Sequence, residues 1–239
     1  MHNIPKIIET MWIKLSDFVK ITCKERDASH GHQHMEKVAL NSLQIFKELS
    51  GQYFLLNWNN HKQLRIIITV AWLHDVADHK YDYTGDLEQK VKIVINDFFT
   101  KKDDQNLIWN IINRLSFSKE NKARLNNQTL DWVDVLGNNG KFIRDIVSDA
   151  DKLEAIGKIG IDRCIMYSKE KYFEKYGQEI PKNELIKSVK IHADEKLLRL
   201  KDEFIRTKPG KRMAEPLHQE MFDFLNSPSL LFNYSSTIL

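Results

Sequence analysis

From Leu64 to Val76 the chain is apolar around almost its whole helical circumference, through Ile66-Ile67-Ile68, Val70-Ala71 and Trp72-Leu73, before it meets the charged pair His74-Asp75. A helix with no polar face has to be buried on all sides. Whatever this chain folds into, the segment lies at its centre and the remaining segments must cover it.

Those covering segments read as helices. Ile8, Met11, Trp12, Leu15, Phe18 and Val19 make one stripe at helical spacing, and Met35, Val38, Ser42, Ile45, Phe46 and Leu49 a second. Leu87, Val91, Val94 and Phe98 make a third. Leu107, Ile108, Ile111, Ile112 and Leu115 follow, with Asp103 or Asp104 as N-cap. Phe142, Ile146, Leu153 and Ile156 lead to Gly157 as a stop, then come helices over 159–172, 185–204 and 213–225. The pattern predicts an all-α bundle of roughly nine helices without a sheet. Only nine glycines and five prolines interrupt it, and strand-type alternation is hard to find. Loops are expected at 51–61, 118–140 (with a short helix at 129–136 as an option) and 206–212, where Pro209-Gly210 sits. No linker splits the chain. Residues 1–227 are expected to form a single domain, with a core at about 25–160, C-terminal helices at about 183–226, and 228–239 as a candidate disordered tail.

Bulk properties narrow the function classes. A net charge of +3, on 36 basic and 33 acidic residues scattered along the chain, offers no basic block for a nucleic-acid surface. Two cysteines, Cys23 and Cys164, are too few for a disulfide scaffold, so a reducing, cytoplasmic location is expected. No apolar run reaches the roughly 18 residues of a membrane span, and the first segment lacks the apolar core of a signal peptide.

His74-Asp75 closes a buried helix, and a buried carboxylate needs a partner or a metal ion. Two segments could supply one: His30-Gly31-His32-Gln33-His34, and Asp149-Ala150-Asp151-Lys152. The order His … His-Asp … Asp is an oxygen and nitrogen donor set suited to a six-coordinate ion such as Mn, Mg, Fe, Co or Ni rather than to structural zinc. Adjacent residues on a helix diverge by about 100°, so His74 and Asp75 can share an ion only if the helix ends there. Asp78, one turn on, projects to the same side.

Four segments in this order resemble the HD-domain phosphohydrolases, and within them the branch of small bacterial nucleotide pyrophosphohydrolases. They are Ser29-His30-Gly31-His32-Gln33-His34-Met35-Glu36-Lys37-Val38, Leu73-His74-Asp75-Val76-Ala77-Asp78-His79-Lys80, Ser116-Phe117-Ser118-Lys119, and Asp149 to Gly157. Lys196 to Asp202 with Thr207 is a weaker match, and the likeness spans about residues 25–225. The resemblance implies a helical HD bundle, with His34, His74, Asp75 and Asp151 as ligands of a divalent metal. Two features depart from the family pattern. Leu217 stands before His218 where the family has arginine, and 118–140 is longer and richer in asparagine than the compact loop expected.

On this reading Asp78 is the candidate proton-transfer residue and His30 a leaving-group or outer contact, while Lys80, Ser118 and Lys119 meet the phosphates. His32 is expected to be exposed and Asp149 structural. Lys152 either pairs with an acid near the site or lies on the surface. His79, His192 and His218 are read as core or surface residues without a catalytic part. Trp72 and Trp109 are expected in the core, with Phe117 lining the pocket. The expected activity is hydrolysis of a nucleoside triphosphate to monophosphate and pyrophosphate by a metal-activated water. The alternatives are a 5′-nucleotidase, a cyclic-nucleotide or alarmone hydrolase, or a binding module with a structural metal. Asp78-His79, where alarmone hydrolases carry Glu-Asp, weakens the alarmone option, and four intact ligand positions argue against the module. The partner is a small phosphorylated substrate, with no membrane or nucleic acid, and a homodimer is among the states expected of such a domain.

Overall fold

A computed structural model describes residues 6–26, 30–51, 58–128, 130 and 132–227. Among these there are ten α-helices and no strand: α1 (Lys6–Thr22), α2 (His32–Ser50), α3 (Trp58–Leu73), α4 (Asp86–Phe98), α5 (Lys102–Ile112), α6 (Phe117–Leu125), α7 (Val133–Leu153), α8 (Gly157–Tyr176), α9 (Lys182–Glu195) and α10 (Lys208–Asn226). The chain divides into two compact units, Met1–Ala150 and Asp151–Leu239. The dividing line falls inside α7, so Asp151 continues a helix whose body belongs to the first unit.

The first unit is built around α3. Ile66, Ile67, Ile68, Val70, Ala71, Trp72 and Leu73 are fully buried, each large side chain contributing about 1.5–3 kcal/mol of apolar transfer. Helices α1, α2 and α5 pack on it, as its missing polar face demands. Trp12 meets Trp72 edge-on at 5.2 Å. The stripes of α1 and α2 face inward, except that Leu49 is exposed at the end of its stripe. Helix α4 begins on a borrowed cap. Both carboxylate oxygens of Asp82 accept from the backbone, Oδ1 from Leu87 at 3.0 Å and Oδ2 from Glu88 at 2.8 Å. Burial alone would raise this carboxyl, but the amides of Leu87, Glu88 and Gly85, with Arg26 nearby, hold it below its ordinary value.

Several boundaries differ from the sequence reading. Helix α5 starts after Lys101, leaving Asp103 and Asp104 in its first turn, where they face the positive end of the helix, rather than at the cap. The stretch 118–140 is largely helical among its described residues, as α6 and the start of α7, which opens at Val133; residues 129 and 131 of the short helix considered there lie outside the described residues. Gly137, at φ 64° and ψ 172°, puts a kink in α7 instead of opening a loop. A cluster pins α6 down: fully buried Arg144 of α7 binds Glu120 Oε2 at 3.0 Å, Asp145 Oδ1 at 3.1 Å and the carbonyl of Arg114 at 3.0 Å.

In the second unit α8 packs on α9 and α10. Gly157, at φ 74°, begins α8 rather than ending the helix before it. The helix expected over 185–204 is broken: α9 stops at Glu195, and a 3-10 turn (Leu197–Arg199) and a π turn (Leu200–Phe204) follow. Arg199 and Glu203, 2.8 Å apart, bridge those two turns. The loop expected at 206–212 is the start of α10. Thr207 caps it by accepting from Gly210 N at 3.0 Å, and Pro209 sits in the first turn, where no N–H is needed. Residues 52–57 of the expected loop at 51–61, and the tail at 228–239, lie outside the described residues.

Candidate metal centre

Helix α3 ends at Leu73, and His74 to Ala77 form a turn. That ending lets neighbouring residues of the pair point to one place, which a continuing helix forbids. His74 is buried, and its Nδ1 donates to the carbonyl of Ala71 at 2.8 Å. A carbonyl can only accept, so Nδ1 carries the proton and the lone pair of the neutral ring is on Nε2. His34, buried in the first turn of α2, lies 5.3 Å from His74 between ring centroids. The Asp75 carboxylate reaches both rings, with Oδ1 3.7 Å from His74 Nε2 and Oδ2 3.9 Å from His34 Nε2. Near the end of α7, Asp151 completes the group: ligand atoms of His34, His74 and Asp151 all lie within 4.8 Å of one another. Two imidazoles and the Asp151 carboxylate at this spacing fit a divalent ion with room for water, while Asp75 lies beside both rings but outside that group of three. The tethered Nδ1–H of His74 is the outer hydrogen bond that fixes a ligating tautomer.

The other residues singled out from the sequence are distributed around the turn and on α6. Asp78 Oδ1 accepts from the backbone N–H of Lys80 at 2.9 Å and lies 3.2 Å from His79 Nδ1. Lys80 and His79 are exposed. His30 packs edge-on against Tyr81 at 5.9 Å. Ser118 and Lys119 are exposed at the start of α6, and Phe117 is half-buried. Trp72 is buried in the core, whereas Trp109 is half-buried with Lys92 Nζ 4.9 Å from its ring. His32 is not exposed: it shares a 2.8 Å hydrogen bond with Ser16 and lies 5.2 Å from Trp72. Burial lowers its pKa, with Lys20 helping and Glu36 opposing. Asp149 and Lys152 are both buried, which places Lys152 off the surface. His218 is half-buried, and His192 lies 5.5 Å from the Tyr167 ring.

Sequence reasoning passed over two groups. One is the Glu120–Arg144–Asp145 cluster, whose only signal was an arginine set between Ile143 and Ile146. The other is Arg26, which donates to the carbonyls of Asp75 and Val76.

No protein-family model matches the chain. Over 213 residues it is 27% identical to the uncharacterised protein YpgQ of Bacillus subtilis, covering 89% of each chain. It is 30% identical over 173 residues to the uncharacterised protein L803 of Acanthamoeba polyphaga mimivirus, spanning 67% of this chain and 64% of that one. The crystal structure of YpgQ in complex with ADP superposes with a TM-score of 0.61 at 21% identity, covering 94% of this chain and 98% of that one. An HD-superfamily hydrolase from Bacillus thuringiensis superposes with a TM-score of 0.60 at 24% identity, covering 96% and 100%. The protein therefore has the HD-domain fold. Within that fold His34, His74 and Asp151 form a group that could hold a metal ion. Among the described residues no helix is long and apolar enough to cross a membrane.

Proposed function

We propose that this chain is a metal-dependent nucleotide phosphohydrolase that splits a nucleoside triphosphate into monophosphate and pyrophosphate. The observation that supports the reading is the meeting of His34, His74 and Asp151, with the Asp75 carboxylate near both imidazoles. A divalent ion held by such donors polarises a phosphoryl oxygen and lowers the pKa of its water. Phosphoryl transfer otherwise needs mainly positioning and charge neutralisation, which the chain's own residues supply. His74 holds its Nε2 toward the ligand set through its bond to Ala71. Asp78, in the same turn, is the proton-transfer group. His30, seated on Tyr81, contacts the leaving group. Lys80, Ser118 and Lys119, all exposed, approach the phosphate oxygens. That YpgQ was crystallised with ADP supports a nucleotide as the ligand class, and the triphosphate is our extension of it. The free, buried Cys23 and Cys164 accord with a reducing cytoplasm.

The test is a hydrolysis screen of purified protein over ribo- and deoxynucleoside tri-, di- and monophosphates, cyclic nucleotides and alarmones. Mn²⁺, Mg²⁺, Co²⁺ and Ni²⁺ are compared with EDTA, and orthophosphate, pyrophosphate and nucleoside are resolved. Pyrophosphate release from triphosphates, abolished by EDTA and by Asp151→Asn, is the expected result. Orthophosphate or nucleoside as sole product would overturn the pyrophosphohydrolase assignment. Full activity in Asp151→Asn would overturn the metal site.

A further inference from the structure

We propose that Arg26 is a positioning residue for the metal-ligand set, one that fixes Asp75 through its backbone rather than through its carboxylate. The inference rests on the metal reading above and goes beyond it by naming what holds the ligands before an ion arrives.

The turn after α3 needs such a holder. Carbonyls at a helix end have lost their intrahelical donors. Between Leu73 and Tyr81 the backbone is held by short-range turn bonds, Val76 N to Leu73 O at 3.2 Å, Asp78 N to Asp75 O at 3.2 Å and Tyr81 N to Asp78 O at 2.8 Å, with Lys80 N on Asp78 Oδ1 at 2.9 Å. Arg26, from the lead-in to α2, spans this turn with its planar fork. Nη1 donates to the Asp75 carbonyl at 2.7 Å and Nη2 to the Val76 carbonyl at 2.6 Å. The same guanidinium lies over the Tyr81 ring, 4.1 Å from its centroid. One side chain thus grips the turn both near its start and at its far end. His30 in turn rests edge-on against Tyr81.

The choice of atoms matters chemically. A guanidinium on the Asp75 carboxylate would compete with an ion for the same oxygens. Here both bonds go to main-chain oxygens, and the carboxylate keeps its approach to His34 and His74. With both Nη atoms committed to the turn, Arg26 is also poorly placed to clamp a phosphate. Lysine cannot replace it, because an ammonium is a point charge without the fork or the flat face.

The test is titration of metal-free protein with Co²⁺, followed by calorimetry and by the visible absorption of the loaded protein, for wild type, Arg26→Ala and Arg26→Lys. Supports of ligands outside the metal's own shell change affinity about 10–100-fold. Arg26→Ala is therefore expected to bind Co²⁺ about 10–100-fold more weakly and to show an altered absorption band even at saturation. Arg26→Lys should fall between it and wild type. A merely structural role would lower the urea midpoint yet leave the saturated band unchanged. Wild-type affinity and an unchanged band in Arg26→Ala would overturn the inference while leaving the metal site standing. If Arg26→Ala does not fold, Arg26→Lys decides by the same two readings. Failure of the wild type itself to bind Co²⁺ would overturn the metal reading and this inference with it.

Discussion

Replacing Arg144 with methionine deletes one charge from the interior while keeping most of the side chain's length, and the structure says what that should do. The guanidinium is fully buried and binds Glu120, Asp145 and the Arg114 carbonyl. Asp145 is also held by Lys141 Nζ at 2.7 Å, and the Glu120 side chain, 4% exposed on a different helix, loses its 3.0 Å bond to the guanidinium. Removing one member of a buried pair costs about 3–5 kcal/mol, against less than about 1 for an exposed pair. At about 2–4 °C per kcal/mol for a chain of this size, the thermal midpoint should fall by roughly 6–20 °C. Tryptophan fluorescence is a suitable monitor, because the Trp132 ring lies 5.8 Å from the Arg144 guanidinium. Adding Glu120→Leu to Arg144→Met should restore part of the loss, since the acid that lost its bond to the guanidinium is then removed from the interior. An Arg144→Met variant within about 1 kcal/mol of wild type would refute the claim that this cluster is a closed, dry ion pair.

Three further outcomes follow from local geometry. A Cβ on Gly160 would lie 2.3 Å from the Ala155 carbonyl oxygen, so Gly160→Ala should destabilise by about 1–3 kcal/mol in urea unfolding. An unchanged urea midpoint would mean that the turn before α8 yields freely. Asp82, its carboxyl held below the ordinary value, stabilises above its unfolded pKa and loses that contribution as pH falls through the lower, folded one. The stability gap between wild type and Asp82→Ala should therefore be present at neutral pH and shrink below about pH 4, and a gap that persists in acid would argue against the cap. Burial pushes the Cys164 thiol up to about 11, so it should stay unlabelled by a thiol reagent at neutral pH until the protein unfolds. Rapid labelling of the native protein would contradict its burial.

How much could be seen in the sequence depended on where the signal resides. The central α3 was legible because seven apolar side chains between Ile66 and Leu73, interrupted only by Thr69, have a single physical solution. Helix α6 was not: of its nine residues only Glu120 and Ala123 are buried, and its Lys and Asn content reads as loop. A tertiary ion pair holds it, and that leaves no local pattern. Pro209-Gly210 suggested a break, yet proline in a first turn starts a helix as readily as it stops one. The fracture after Glu195 has no glycine or proline to mark it, with Lys196 at φ −131°. For the candidate centre, histidine and aspartate stand out by type and order, which is why His34, His74, Asp75 and Asp151 could be put forward; ligand atoms of His34, His74 and Asp151 lie within 4.8 Å of one another. His32 was rightly separated from His34 by its helical angle, but its face meets Trp72 rather than water. Arg26 was invisible because a bond to a main-chain oxygen has no spacing rule.

The donors that meet at the candidate centre come from places far apart along the chain: the first turn of α2, the end of α3 and the end of α7. An ion gathered there would act as a cross-link that closes long loops, in the manner of a reversible disulfide, and only the folded chain could make it. By mass action, free metal at a hundredfold excess over its dissociation constant adds about 2.7 kcal/mol to the folded state. The chelator of the hydrolysis screen should then also lower the unfolding midpoint. In a cell short of metal, a chain cross-linked in this way would lose part of its lifetime, so that metal supply would set how much of the protein persists.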